Sequence, residues 1–276
     1  MAEYANKDSR INLILREQSP TEVFGEKYSV DIGRQVATGN YIMIVDHDDE
    51  LSLGAIEILY QYTQDETVDV VQGRSITINE KGQQVYATSA LYPEPTIVYS
   101  INTLSDEQLL KHLLSTPIAL WTCLIRKEFQ KDIELGDYIY NDTDFIWKLK
   151  LLAKTFVYAP EYIYRQNEHA DSVSGSAHTS TNAFYIFRSM ISLEQFLKQQ
   201  SAPYKIWILF ALFKFRMIYG HSTGVTSEPA HTNFIKMLKE ELKRDGDFSE
   251  EVKNLFTNNY YEAYKQLIDE DIYYGN

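Results

Sequence analysis

The sequence has 276 residues, of which 44% are hydrophobic, and its formal net charge is −13. This length and composition suffice for one large domain, or for a catalytic domain with a smaller one, and they exclude wholesale disorder. The negative charge disfavours phosphate backbones, so we expect no nucleic-acid partner.

Targeting and redox signals are few. Cys123 is the single cysteine, which excludes an internal disulfide, and its apolar neighbours predict a buried thiol. Residues 1–11 are charged and contain no apolar stretch typical of a signal peptide. The longest apolar run, residues 206–213, is far shorter than the roughly 20 residues of a membrane-spanning helix. We therefore expect a cytoplasmic protein.

The first part of the chain alternates short apolar runs with amphipathic segments, which is typical of an α/β domain. In chain order the predicted elements are a strand at residues 10–16, a helix at 30–37, a strand at 41–45, a helix at 52–64, a strand at 68–78 and a returning hairpin arm at 83–88. The predicted apolar face of the second helix consists of Leu53, Ile56, Leu59 and Tyr60.

The second part of the chain changes from mixed to helical patterns near residue 179. Its predicted elements are a helix at 104–114 capped by Ser105 or Asp106, a strand at 119–125, a helix at 141–154, strands at 155–158 and 162–165, and helices around 180–200, 203–219, 231–244 and 249–270. The helix at 141–154 has an apolar stripe of Phe145, Ile146, Leu149, Leu152 and Ala153 and is expected to turn Lys148, Lys150 and Lys154 towards solvent. These patterns predict an α/β domain at residues 1–175 and a helical region at 176–276.

An acidic stretch directly follows the predicted strand at 41–45. Asp46, Asp48 and Asp49 place three carboxylates within four residues, where they repel one another unless a cation or hydrogen-bond donors gather there. In open α/β sheets ligands bind beyond the carboxyl ends of strands. Oxygen ligands suit Mg²⁺ or Mn²⁺, which proteins often share with substrate phosphates. The residues alone leave two readings open: a metal site, and a solvated acidic turn ahead of the next helix.

Three segments, in this order and spacing, resemble the middle of an inverting family 2 glycosyltransferase. They are YANKDSRI at residues 4–11, ATGNYI at residues 37–42 and DHDD at residues 46–49. The resemblance implies a GT-A-like fold, which is a Rossmann-like mixed sheet flanked by helices. It also implies that Asp46 faces the ribose or the metal, that Asp48 binds the metal bridging the diphosphate, and that Asp49 belongs to the same cofactor site. The implied cofactors are Mn²⁺ or Mg²⁺ and a UDP-sugar donor.

A second match lies downstream. NDTDF at residues 141–145 resembles the pair of residues that opens a helix in the acceptor half of the family, which implies that Asp142 is the general base. PEYIYR at residues 160–165, followed by His169 and Ser172, resembles the end of the family domain, and His169 is implied as a further metal ligand. From the residues alone, Asp142 is also explained as an acidic residue in a first helical turn, and His169 as a surface-loop histidine.

The resemblance implies transfer of a sugar, with inversion, from a nucleoside diphosphate sugar to a hydroxyl of a glycan or lipid-linked glycan, as in surface polysaccharide synthesis. The family's first nucleotide-binding strands have no counterpart here, and SVDIG at residues 29–33 replaces its Ala-Arg-Asn-x-Gly. We therefore expect a fold that is incomplete at the N-terminus, and weak or absent transfer by the isolated chain. The strand at 41–45 is expected to leave an open sheet edge for self-association or for a partner chain.

Two other functions remain open at this point. One is a non-catalytic glycan-binding or scaffolding protein derived from such an enzyme, and the other is an α/β metal-dependent hydrolase of phosphoesters. Residues 204–219 combine an apolar run with Lys205, Lys214 and Arg216. This segment is interpreted either as a buried helix or as a peripheral contact with the inner face of the membrane.

Overall fold

The structure, a computed structural model, describes residues 2–17, 26–64, 66–88, 92–169, 182–222, 225 and 227–245. The helices are α1 Ala2–Lys7, α2 Glu26–Val36, α3 Ala55–Tyr60, α4 Asp106–Leu110, α5 Lys127–Gln130, α6 Asn141–Leu152, α7 Tyr185–Gln199, α8 Tyr204–Ser222 and α9 Ala230–Asp245. The strands are β1 Tyr41–Ile42, β2 Glu50–Leu51, β3 Val70–Ile78, β4 Gln84–Ala87, β5 Thr96–Tyr99, β6 Cys123–Arg126 and β7 Thr155–Asn167.

The strands form one mixed sheet in the order β1-β6-β3-β7-β2, with β4 added to β3 and β5 added to β7. β3 and β7 are parallel, whereas the other pairs are antiparallel. Because β6 is antiparallel to both β1 and β3, the strands β1, β3 and β7 point the same way. Their carboxyl ends therefore share one edge of the sheet, and this is the edge that the acidic stretch at residues 46–49 follows.

The helical C-terminal region packs on the sheet through α6. The indole of Trp147 on α6 lies 4.6 Å from the ring of Phe213 on α8, and Phe187 on α7 lies 5.0 Å from Phe234 on α9, between ring centroids. These residues belong to one hydrophobic core that also contains Val70 of β3. The expected α/β sheet flanked by helices, followed by a helical region, is thus confirmed. The predicted boundary at residues 175–176, Ser172 and the helix at 249–270 lie outside the described residues.

The predicted strand at residues 10–16 is wrong. Residues 11–17 have no regular secondary structure, and the side chain of Leu15 is 84% exposed. An apolar run becomes a buried strand only when a neighbouring strand and a covering layer accept it, and the described part of the sheet ends at β1. β1 is itself shorter than predicted, because the chain leaves the sheet after Ile42.

The helix predicted at 52–64 is shorter than expected, and a different face of it packs on the sheet. Gly54 has a φ of 76°, a left-handed conformation that favours glycine, and α3 begins only after it. Leu53 therefore lies outside the helix and is fully exposed, and Ile56 and Tyr60 are also exposed. Ala55 and Leu59, four residues apart, form the face that packs on the sheet.

The interpretation of α6 is half right. Phe145, Ile146 and Leu149 are buried as predicted, and Lys154 is exposed, but Leu152 is 36% exposed. Lys148 and Lys150 are buried, contrary to prediction. The reason is that α6 is covered on more than one side, by the sheet and by α7, so a polar residue on it does not mark a solvent face.

Several other predictions are confirmed or refined. Ser105 caps α4 in a capping box with Gln108, and the thiol of Cys123 is buried. The two strands predicted at 155–158 and 162–165 are one strand, β7, whose register against β3 shifts near Gly73. A Cβ atom at Gly73 would lie 2.4 Å from Cγ1 of Ile163, so the close approach of the two strands requires glycine.

The apolar segment at residues 204–219 is confirmed as a largely buried helix, α8. Lys214 is almost fully buried, and its Nζ lies 3.3 Å from Oε2 of Glu241 on α9. Lys214 therefore cannot contribute to a membrane contact, which stays a prediction for the exposed residues Lys205 and Arg216. Among the described residues, no helix combines the length and apolar character that crossing a bilayer requires.

Candidate functional site

Residues 46–49, here called the acidic turn, connect β1 to β2 at the carboxyl edge of the sheet. The backbone N–H of Asp49 donates to the carbonyl of Asp46 at 3.3 Å, which closes the turn. β2 then pairs antiparallel with β7, with Leu51 opposite Tyr164. The acidic turn is thus fixed at its far end by β7, although it begins beside β6.

The end of β7 supplies hydrogen bonds to the acidic turn. The hydroxyl of Tyr164 accepts from the backbone N–H of Asp46 at 3.2 Å and donates to Oδ2 of Asp49 at 2.8 Å. The backbone N–H of Asn167 donates to Oδ1 of Asp49 at 2.8 Å, and its side-chain amide donates to the carbonyl of Asp48 at 2.8 Å. Both carboxylate oxygens of Asp49 are therefore engaged by β7.

Asp48 and His169 are brought into contact across 121 residues of sequence. Nε2 of His169 lies 2.9 Å from Oδ2 of Asp48, and each side chain is about one-third exposed. The hydrogen bond with His169 is the main cause that lowers the pKa of Asp48 below its usual range. His47, between the aspartates, is 96% exposed and lies 3.8 Å from Asp48. Asp48 and His169 thus form a solvent-accessible pair of carboxylate and imidazole donors.

The charged form of Asp46 is disfavoured by its surroundings. Burial, followed by the charges of Asp49 and Asp48, raises its pKa to about 6. Burial also raises the pKa of Asp49, despite the hydrogen bonds from Asn167 and Tyr164. A bound cation would offset both the burial and the repulsion, because it favours the charged form of every carboxylate near it.

The donor set fits a divalent ion that is completed by a ligand. Within the described ranges, no three or more His, Cys, Asp or Glu side chains form a group ready to hold a metal. Mg²⁺ in particular is usually bound through one or two carboxylates together with substrate phosphates and water. Asp48 and His169 are in contact, whereas Asp46 does not complete a three-residue group with them, so the donors suit such a shared site better than a permanent metal centre.

Asp142 lies on a different element, in the first turn of α6, and is half-buried. Tyr140 occupies the N-cap position of α6, with a φ of 68° that is unusual for a residue with a large side chain. The ring of Tyr140 packs edge-on against His221 of α8, at 4.6 Å between centroids. The side chain of Asn141 is buried and donates to the carbonyl of Gly136 at 3.0 Å.

Sequence reasoning missed a buried ion pair next to Asp142. Nζ of Lys148 lies 2.5 Å from Oδ2 of Asp144, and the hydroxyl of Ser192 on α7 donates to the same oxygen at 2.8 Å. Desolvation raises the pKa of Asp144, against the opposing effect of Lys148. The spacing of four residues between Asp144 and Lys148 was a usable signal for this pair, whereas nothing in the sequence pointed to Ser192.

Comparison with known proteins gives the first part of the chain a family match. Residues 1–129 match the family described as glycosyl transferase family 2, a range that includes the acidic turn and ends before Asp142. The chain is 23% identical over 257 residues to the cholesterol galactosyltransferase of Borreliella burgdorferi, a match covering 85% of this chain and 67% of that protein. It is 26% identical over 172 residues to the glycosyltransferase GlyG of Streptococcus pneumoniae serotype 4, covering 60% of this chain and 55% of the relative.

Solved structures with a similar fold include TarS of S. aureus. The crystal structure of TarS superposes with a TM-score of 0.57 at 16% identity, over 98% of this chain and 44% of TarS. TarS residues 1–349 in complex with UDP-GlcNAc give a TM-score of 0.50 at 16% identity, over 97% of this chain and 67% of that one. At such low identity the likeness concerns the fold alone.

Proposed function

We propose that this chain, whose residues 1–129 match glycosyl transferase family 2, transfers a sugar from a UDP-sugar to a hydroxyl group of a glycan or lipid-linked glycan, with inversion at the anomeric carbon. Sugar transfer from a nucleotide sugar is the activity of the family. The observation that carries the proposal is the acidic turn, which lies inside the family match and at the carboxyl edge of the sheet. UDP is supported by the UDP-GlcNAc complex of TarS, whose fold this chain shares.

Asp46, Asp48 and His169 are proposed to hold Mn²⁺ or Mg²⁺ together with the diphosphate of the donor. The contact between Asp48 and His169 supports this, as do burial and the neighbouring charges of Asp49 and Asp48, which together raise the pKa of Asp46 to about 6. When bound, the metal offsets negative charge on the departing diphosphate. Asp49 is proposed to belong to the same site by fixing the turn, since both its carboxylate oxygens accept hydrogen bonds from β7.

Asp142 is proposed to be the general base. Its carboxylate takes the proton of the acceptor hydroxyl as the acceptor oxygen forms a bond to the anomeric carbon. The bond from that carbon to the diphosphate oxygen breaks on the opposite face, and its electron pair leaves with UDP. Atoms and charge balance without any oxidant or reductant, and attack from the face opposite the leaving group gives inversion.

The acceptor and the place of reaction are also proposals. The Borreliella burgdorferi relative is named for a lipid acceptor, cholesterol, which supports an acceptor presented at a membrane surface. We propose a cytoplasmic enzyme that contacts the inner face of the membrane peripherally. β1 is the terminal strand of the described sheet, so self-association or a partner chain at that edge also stays a prediction.

The test is donor turnover by the purified chain. UDP release would be measured with UDP-galactose, UDP-glucose and UDP-GlcNAc, with and without Mn²⁺, in the presence of glycan and glycolipid acceptors. We expect weak, Mn²⁺-dependent UDP release with one donor, lost in Asp142→Asn while Mn²⁺-dependent UDP binding persists. A chain that binds glycan but neither binds nor releases UDP would refute the proposal and favour the scaffolding function.

A further inference from the structure

We propose that Tyr164 is a positioning residue of the donor site, whose hydroxyl holds the two ends of the acidic turn in the arrangement that binds the metal and the diphosphate. The inference rests on the proposed function, because it concerns affinity for a metal-bound nucleotide. It assigns Tyr164 no contact with the donor. Its effect is carried by Asp46 and Asp49.

The hydroxyl of Tyr164 makes one hydrogen bond to each end of the turn. It accepts from the N–H of Asp46 at 3.2 Å and donates to Oδ2 of Asp49 at 2.8 Å, so one oxygen atom joins the first residue of the turn to the last. The N–H of Asn167 holds the other oxygen of Asp49 at 2.8 Å. Asp49 is thus anchored to β7 at both oxygens, and Asp48 between the two anchored residues keeps its carboxylate towards His169.

Tyr164 can impose a position because its own ring is fixed. The residue is 1% exposed and belongs to the hydrophobic core under α3. Its ring lies 6.3 Å from that of Trp121, which precedes β6, and its backbone pairs with Leu51 of β2. A side chain packed in this way cannot follow the turn if the turn moves. The hydroxyl therefore sets where the turn lies.

The hydroxyl of Tyr164 is the partner of two polar groups at the two ends of the turn. Without this hydroxyl, the N–H of Asp46 and one carboxylate oxygen of Asp49 lose a partner. Residues that hydrogen-bond to metal ligands, without contacting the metal themselves, typically contribute about 10- to 100-fold to metal affinity. A loss of this size is the expected signature of a positioning role.

The experiment compares two hydroxyl deletions on the same strand. Tyr164→Phe removes only the anchoring oxygen, and Tyr158→Phe is the matched control. Tyr158 is also buried on β7, but its hydroxyl contacts Nδ1 of His112 at 2.9 Å and Oγ1 of Thr116 at 3.1 Å, away from the turn. Calorimetry on the full chain would give the Kd of UDP in the presence and absence of Mn²⁺, beside melting curves of each variant.

We expect Tyr164→Phe to weaken Mn²⁺-dependent UDP binding by about 10- to 100-fold, and Tyr158→Phe to leave it unchanged although both variants melt at lower temperature. Hydrogen exchange at the backbone N–H of Asp46 should become faster in Tyr164→Phe alone. In a double-mutant cycle with Asp49→Asn, the losses in UDP affinity should not add, because both changes break one chain of contacts.

Three results would overturn the proposal, and they are distinguishable. If the unmodified chain binds UDP with Mn²⁺ and Tyr164→Phe binds it equally well, Tyr164 has no positioning role and the proposed function stands. Equal weakening by Tyr158→Phe would likewise mean general destabilisation instead of positioning. If the unmodified chain does not bind UDP with Mn²⁺ at all, the proposed function fails and the positioning role fails with it.

Discussion

Replacing Lys150 by methionine should remove a pH dependence of stability that the fold builds into α6. Lys150 is fully buried, and its Nζ donates to Oγ1 of Thr116 at 2.6 Å. Across the described residues no carboxylate forms an ion pair with it. Burial lowers its pKa from 10.5 to about 7, with a smaller opposing effect of Cys123. Lys150→Met keeps the length of the side chain and removes the charge.

The sign and size follow from proton linkage. The unfolded chain holds the lysine proton up to pH 10.5 and the folded chain loses it near pH 7, so the unfolding free energy rises with pH across this window. Between pH 7 and pH 9 the rise amounts to about 2 kcal/mol. At pH 7 the buried amine costs about 4 kcal/mol, whereas the lost hydrogen bond to Thr116 costs about 1 kcal/mol. Lys150→Met should therefore be more stable than the unmodified chain at pH 7.

Urea unfolding at pH 7, 8 and 9 measures this directly. The unfolding free energy of the unmodified chain should rise with pH, and that of Lys150→Met should not. The difference in unfolding free energy between the two should therefore shrink as the pH rises. Lys154→Met is the matched control, since Lys154 follows the same helix but is exposed, and it should keep the slope of the unmodified chain. Parallel curves for Lys150→Met and the unmodified chain would refute the reasoning. Higher pH is avoided because burial raises the pKa of Cys123 to about 12, which acts in the opposite direction.

Three further changes test the site. Asp48→Ala should abolish the Mn²⁺-dependent part of UDP binding in calorimetry, and metal-dependent affinity that survives unchanged would remove Asp48 from the metal site. Asp142→Asn keeps the shape of the side chain but not its basicity, so turnover should fall about 10²- to 10⁴-fold with UDP binding retained; a change of less than about threefold would leave Asp142 as a helix-end carboxylate. Asp144→Asn leaves the ammonium of Lys148 without its buried partner, and unfolding in urea should cost about 3–5 kcal/mol less. Equal stability of Asp144→Asn and the unmodified chain would show that the pair is dispensable.

The elements that the sequence predicts well are those whose pattern reflects a single buried face or a local contact. The cap of α4 at Ser105 involves residues three positions apart, so it can be predicted from the local sequence without any tertiary information. The acidic turn was located because three aspartates interrupt the chain directly after an apolar run, and the fold places them at the sheet edge as expected. The alternation of strands and helices predicted the mixed sheet for the same reason.

The wrong predictions have a different physical origin: they concern residues whose structure depends on contacts with residues distant in the sequence. Lys150 was predicted to face solvent because lysine usually does, but Thr116 offers it an acceptor inside the core from 34 residues away. The run at residues 10–16 has the composition of a strand, yet a strand exists only beside another strand. The contacts of Tyr164 and Asn167 with the acidic turn span more than 110 residues, and no local pattern encodes them.

Contacts between residues distant in the sequence also explain how the helical region positions the candidate base. α6 carries Asp142 in its first turn, and α7 and α8 hold that turn from outside. Ser192 of α7 bonds the buried carboxylate of Asp144, and His221 of α8 packs on Tyr140, whose backbone adopts an unfavourable conformation. A residue in such a conformation persists only when its surroundings enforce it. The helical region therefore does more than enlarge the core: it fixes the direction in which α6 presents Asp142, and changes in α7 or α8 should alter turnover without contacting either substrate.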